Sequence, residues 1–194
     1  MPADLSQWLH LVFRWTHFAA GITWIGLLYW FNLVNVPFAK TVEAKDRPTY
    51  VSKLIPSALW WFRHSAWVTV LAGFGLIYVL YWNNGAFLAL AENRDKTIFM
   101  GMVLGVIMLF NVWRLIWPNQ RTVIEATIKG EKPDAQAAKI ALYASRVNFA
   151  LSAPLLLFMA GASHFPLDWS GIVIIGGIAA LIGALVVLRV QKVF

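Results

Sequence analysis

Arg14-Trp15-Thr16-His17-Phe18-Ala19-Ala20-Gly21-Ile22-Thr23-Trp24-Ile25-Gly26 sits within an apolar run long enough to cross a bilayer as a helix, yet it carries an arginine and a histidine near one end. A spanning segment needs about 20 mostly apolar residues. Ala19, Ala20, Gly21 and Gly26 are small enough to let a second helix come close. Ionisable groups at membrane depth are expensive, so a histidine here marks a functional site. The remainder of the chain reads as further spans built around this one.

Of the 194 residues, 60% are hydrophobic and 13% are charged. A soluble domain is closer to half apolar and a quarter charged, so this is a polytopic membrane protein folding as one helical domain over 1–194. The absence of cysteine excludes disulfides, thiolate metal sites, iron–sulfur clusters and the Cys-x-x-Cys-His attachment of a c-type haem. Any metal or haem must therefore use His, Met or oxygen ligands. The net charge of +7 does not indicate nucleic acid, because the basic residues flank the spans. The leader Met1–Gln7 has no basic region, and the first apolar run is too long for a signal peptide, so no cleaved signal is expected.

Five spans are predicted, at about 8–37, 57–82, 96–117, 139–163 and 170–188. The expected linkers are a charged stretch with two prolines over Ala39–Pro56, an Asn-Asn-Gly segment over Asn83–Asp95, a polar stretch over Pro118–Ala137 and a short turn over His164–Trp169. None is long enough to fold alone. Pro154 is expected to kink the fourth span. Gly101-x-x-x-Gly105, Gly176-x-x-x-Ala180 and Ala179-x-x-x-Gly183 are small-residue pairs suited to helix contact within the bundle. Tryptophans and tyrosines near the span ends form an aromatic belt.

Orientation follows from the basic residues. Only Arg14, Arg94 and Lys96, three of the 16, fall on the side of the N-terminus. The side carrying the rest is expected to face the cytoplasm, with the N-terminus outside and the C-terminus inside.

Four histidines bear on chemistry. By helix rise, His17 lies about 8 Å above the membrane centre on the outer side, His10 about 18 Å and His164 about 20 Å, while His64 lies about 10 Å below. His17 and His64 are then too far apart to share one iron. If haem is bound, the outer site combines His17 with His10, His164, a Met or an open position. Arg14 shares a face with His10 and His17 and suits a propionate or an anionic substrate. Arg63, Arg114 and Arg146, with His64, Asn111 and Asn148, lie in the inner half. The three arginines read as a cationic pocket for propionates, a quinone headgroup or a small anion, or as lipid-headgroup contacts. No carboxylate sits within a span, which argues against a carboxylate proton relay.

Four segments resemble the membrane domain of the PuuD-type urate hydroxylase (urate oxidase N-terminal) family. They are the opening stretch Arg14–Gly26; Trp60-Trp61-Phe62-Arg63 with Thr69-Val70-Leu71-Ala72-Gly73-Phe74; Asn111-Val112-Trp113-Arg114-Leu115-Ile116-Trp117-Pro118-Asn119-Gln120-Arg121; and Ser163-His164-Phe165-Pro166. The resemblance implies a bacterial inner-membrane protein linked to urate oxidation, with electrons passed to a cytochrome c. Members typically carry that cytochrome as a C-terminal domain. Without Cys-x-x-Cys-His, a separate cytochrome c on the outer side is implied here. His17 and His164 match family motif positions and are the implied metal ligands, whereas His10 and His64 match none.

Three readings follow. The first is a haem b-linked electron-transfer protein, with His17 as axial ligand, His164 or His10 opposite and Arg14 at a propionate. The second is a cofactor-free accessory subunit of a larger respiratory or photosynthetic complex. The third is a urate-oxidising enzyme whose inner arginines bind the purine anion.

Overall fold

The computed structural model describes residues 4–193. The part of the leader reading that concerns residues 1–3 lies outside them. Among the described residues the chain is all-helical, with five helices long and apolar enough to cross a membrane. These are α1 (Leu5–Thr41), α2 (Arg47–Leu80), α3 (Asn93–Ile128), α4 (Ala135–Gly161) and α5 (Trp169–Lys192). It is a multi-pass membrane protein. Apolar side chains such as Phe18, Ile22, Leu71, Val173 and Leu181 point outward, where lipid replaces water.

The helix ends are set by local chemistry. Asp4 accepts from the Gln7 backbone N–H at 2.8 Å while the Gln7 side chain accepts from Asp4 N–H, a reciprocal cap that starts α1. Asp134 caps α4 through the N–H of Gln136. Gly130, at φ +72°, ends α3 in the left-handed conformation that costs glycine nothing.

Three expected linkers are largely helical: Asn83–Ala89 forms a 3-10 helix between α2 and α3, and the other two are taken up by the long helices. α1 runs to Thr41 and α2 starts at Arg47, so only residues 42–46 connect them. α2 is interrupted by a turn at Leu54, and Pro48 and Pro56 stand in the first turns of its two segments, Arg47–Lys53 and Ile55–Leu80, where no N–H is required. α3 likewise passes through Pro118 to Ile128. Here the reason is a change of pitch. Asn111–Ile116 is π-helical, and Pro118 follows it after a single intervening residue, Trp117. α1 repeats the device, with π-helical Trp30–Asn35 before Pro37. A wider turn just before the ring relieves its clash with the preceding turn, so both helices continue.

α4 packs against α1, α3 and α5, while α2 packs mainly on α1. The principal core joins Trp24 and Leu28 of α1, Leu59, Phe62 and Ala66 of α2, Met108 and Val112 of α3, and Leu155 of α4. The small-residue pairs do serve internal packing. Gly101 and Gly105 face Met159 and Leu155 of α4, and Gly176 faces Phe158. Gly183 is the one that meets a neighbouring backbone rather than a side chain. A Cβ there would lie 3.1 Å from both the Cα and the carbonyl oxygen of Ala150. Pro154, inside α4, supplies no N–H to that carbonyl. The bare glycine of α5 covers the group that proline leaves unpaired.

Candidate functional site

His17 lies where α1 meets α2. Its Nδ1 is 2.8 Å from the carbonyl oxygen of Thr69, and its ring lies over Gly73, where a Cβ would come within 3.1 Å of Cε1. A carbonyl only accepts, so Nδ1 carries the proton and donates it. The lone pair is then on Nε2, the arrangement that orients a neutral imidazole as a ligand or base. The close approach continues along the seam. Gly75 faces the Phe13 ring, and Gly21 faces the Thr69 methyl. This register sets His17 against residues 69–73, about 10 Å along α2 from His64 by helix rise. The upright-helix reading put them about 18 Å apart in depth, and helix packing brings them closer.

His64 has the same tautomer for the same reason, with Nδ1 donating to the Trp60 carbonyl at 2.7 Å. It sits in an aromatic cluster, 4.4 Å from the Trp60 ring and 5.9 Å from that of Trp113 between centroids. Arg63 reaches the other side of the cluster. Its guanidinium carbon is 3.7 Å from the Trp117 ring centroid and 5.7 Å from that of Trp113. Trp113 in turn donates to the Arg63 carbonyl at 3.2 Å. Cation–π attraction holds the charge at membrane depth.

Arg63, Arg114 and Arg146 have different surroundings. Arg63 stacks on α3, Arg114 is exposed, and Arg146 donates through Nε to Gln191 Oε1 of α5 at 2.6 Å. Gln191 anchors a network that sequence reasoning missed. Its Nε2 donates to the Asn32 carbonyl at 3.1 Å, and its own carbonyl accepts from Lys40 Nζ at 2.6 Å. Asn32, fully buried in the π-helical turn of α1, donates to Leu28 O and to Ser145 Oγ, both at 2.9 Å. Deeper in, Asn111 donates to Asn148 Oδ1 at 2.8 Å and Asn148 donates to Met108 O at 2.9 Å. The signal available was amide side chains inside apolar runs, which must find partners where there is no water.

Near the N-terminal end of α1, His10 is half-buried and its Nε2 is enclosed with no partner among the described residues. Arg14 is exposed on the same helix. His164 is exposed in the turn after α4. The Tyr29–Ser152 hydrogen bond, at 3.1 Å, fixes the relative heights of α1 and α4. From it His17 lies about 18 Å towards the N-terminal end of α1, and the end of α4 about 14 Å in the same direction, with His164 three residues beyond. His17 and His164 therefore stand at comparable heights.

Among the described residues, no group of three His, Asp or Glu side chains could hold a bare metal ion. A cavity of about 180 Å³ lies between α1, α2, α3 and α4 near the 42–46 connection, lined by Val36, Ala39, Tyr50 and Ser145 among others. Residues 86–191, more than half of the chain, match the urate oxidase N-terminal family. The chain belongs to the urate oxidase N-terminal family. No curated protein and no solved structure matched alongside it. The matched residues of this urate oxidase N-terminal protein contain Arg114, Arg146, His164 and both buried asparagines of the α3–α4 contact; His10, Arg14, His17, Arg63 and His64 precede them.

Proposed function

We propose that this membrane protein is a haem b-linked electron carrier of a urate-oxidising system, with His17 as an axial ligand. The observation that carries the reading is the imidazole held by Thr69 and packed over Gly73, its Nε2 making no hydrogen bond among the described residues. The donor set fits a haem better than a bare ion, because a haem asks the chain for one or two imidazoles rather than a cluster. When bound, haem b supplies a reversible one-electron couple. The chain's own part is mechanical and electrostatic. Thr69 fixes the tautomer and raises the basicity of Nε2, Gly73 sets the ring plane, and Arg14 offers a cation to a propionate on the outer side. His164, at a comparable height, would hold the haem together with His17, with His10 as the alternative.

The basic asymmetry supports a bacterial inner-membrane protein with its N-terminus outside, so electrons would leave to a separate cytochrome c on that face. The cysteine-free sequence makes this measurable. Single cysteines placed in the 42–46 and 162–168 connections should react with an impermeant maleimide in intact cells only at the second.

The deciding experiment is a reduced-minus-oxidised visible spectrum of the detergent-purified chain, with His17→Ala alongside. A b-type α-band that the substitution removes, and that urate turnover reduces, is the expected result. A flat spectrum from folded protein overturns the reading and leaves the chain an accessory subunit of a larger complex.

A further inference from the structure

We propose that the cavity between α1, α2, α3 and α4 is a binding site for the ring of a lipid-soluble quinone. The site does not use His17 and stands apart from the haem reading. Four helices wall it, and both π-helical turns contribute: Phe31 and Asn35 from α1, Ile116 from α3. Most of the lining is aliphatic or aromatic, and no charged side chain contributes. Its volume of about 180 Å³ exceeds the roughly 150 Å³ that holds a benzene ring in an apolar protein cavity.

Three polar groups on the wall have hydrogen-bonding capacity left over. Ser145 Oγ accepts from Asn32, and its own O–H has no acceptor among the described residues. Tyr50 donates to Asn35 Oδ1, which leaves the Asn35 NH2 free to donate. The Gln120 amide has no side-chain partner among the described residues. An apolar pocket with a few converging donors is the form taken by sites for small amphiphilic ligands. The matching ligand is a flat ring with carbonyl acceptors. Quinones and purines both offer that, and the lining decides between them. Burying an anion such as urate against uncharged walls leaves its charge unpaired, at a prohibitive cost. A neutral ring arriving through the bilayer has no such penalty.

The test is photolabelling of the full chain in lipid nanodiscs with an azido-benzoquinone carrying a decyl tail, mapped by mass spectrometry. Label is expected in the segments around Phe31, Val51 and Gln120, saturable, and competed by the unmodified decyl quinone. Gln120→Leu should weaken the apparent affinity about fivefold, as for one lost hydrogen bond. Val51→Phe, which fills the space, should reduce labelling at least tenfold. Both variants are checked for folding by circular dichroism and gel filtration, and Gln120→Leu adds no bulk. Label spread evenly over lipid-facing residues overturns the proposal, as does labelling undiminished in both folded variants. Protection by urate would reassign the cavity to a purine.

Discussion

Gly73→Ala isolates the contact that holds His17. The added Cβ would lie 3.1 Å from Cε1 and 3.2 Å from Nδ1 of the imidazole, so the ring must retreat by a few tenths of an ångström and its 2.8 Å bond to Thr69 must stretch. Overpacking of this kind costs about 1–3 kcal/mol. Against it stands the helix propensity of alanine over glycine, worth about 1 kcal/mol. The net change in the natural background is a loss of about 0–2 kcal/mol. In a His17→Ala background nothing opposes the new methyl, and the same change should stabilise by up to about 1 kcal/mol. The coupling between the two positions is therefore about 1–3 kcal/mol. Reversible unfolding of the four proteins in mixed micelles, titrated with a denaturing detergent, closes the cycle. Gly26→Ala, with nothing within 4 Å of the new Cβ, is the control for glycine replacement itself. A cycle that closes to within about 0.5 kcal/mol would show that Gly73 and His17 act independently, and the positioning argument would fail.

Gly183→Ala should destabilise by about 1–3 kcal/mol, because the methyl meets the backbone of Ala150, whereas Gly177→Ala on the open side of α5 should be neutral or stabilising; the same detergent titration distinguishes them. Gln191→Ala removes the acceptor for Arg146 and the donor to Asn32, and a loss of about 1–3 kcal/mol in that titration is expected. Asp168, in the turn before α5, accepts from the Gly171 N–H and the Ser170 hydroxyl, which hold its carboxyl below the usual range. A lowered native pKa contributes stability above the unfolded-state pKa and loses it as pH falls through the native one. Asp168→Asn should thus lower the melting temperature at neutral pH, and the gap should close in acid; a gap that persists there would remove the carboxylate from the explanation.

The fold was legible because hydropathy and length dominate it. Five apolar stretches become five helices, and the glycine pairs lie on packed faces. Boundaries near proline were not. Pro48, Pro56 and Pro118 read as breaks, yet each stands where the missing N–H or the ring's bulk costs little: a first turn, or just after a widened one. Spacing alone does not announce a π-turn. At the candidate site, His17 was found by its chemistry, as an ionisable group at membrane depth. Its partner is a backbone carbonyl, which no sequence pattern marks. The neighbours of the three arginines were not legible for a related reason. Similar depth on three helices says nothing about direction around each helix, and Arg63 and Arg146 turn to different neighbours.

The two π-turns are the places where local regularity is given up twice in the same way. An asparagine is buried in each, Asn32 in α1 and Asn111 in α3, and both bond to α4, at Ser145 and Asn148. Replacing these asparagines by leucine in two straight helices would suit the bilayer better, since each buried amide needs partners that hydrocarbon does not provide. Both widened turns also line the cavity, through Phe31, Asn35 and Ile116. A bundle built only to hold itself together has no use for that space. Departures from regular helix that converge on one cavity, and leave donors there without acceptors, are what a site for a visiting ring requires.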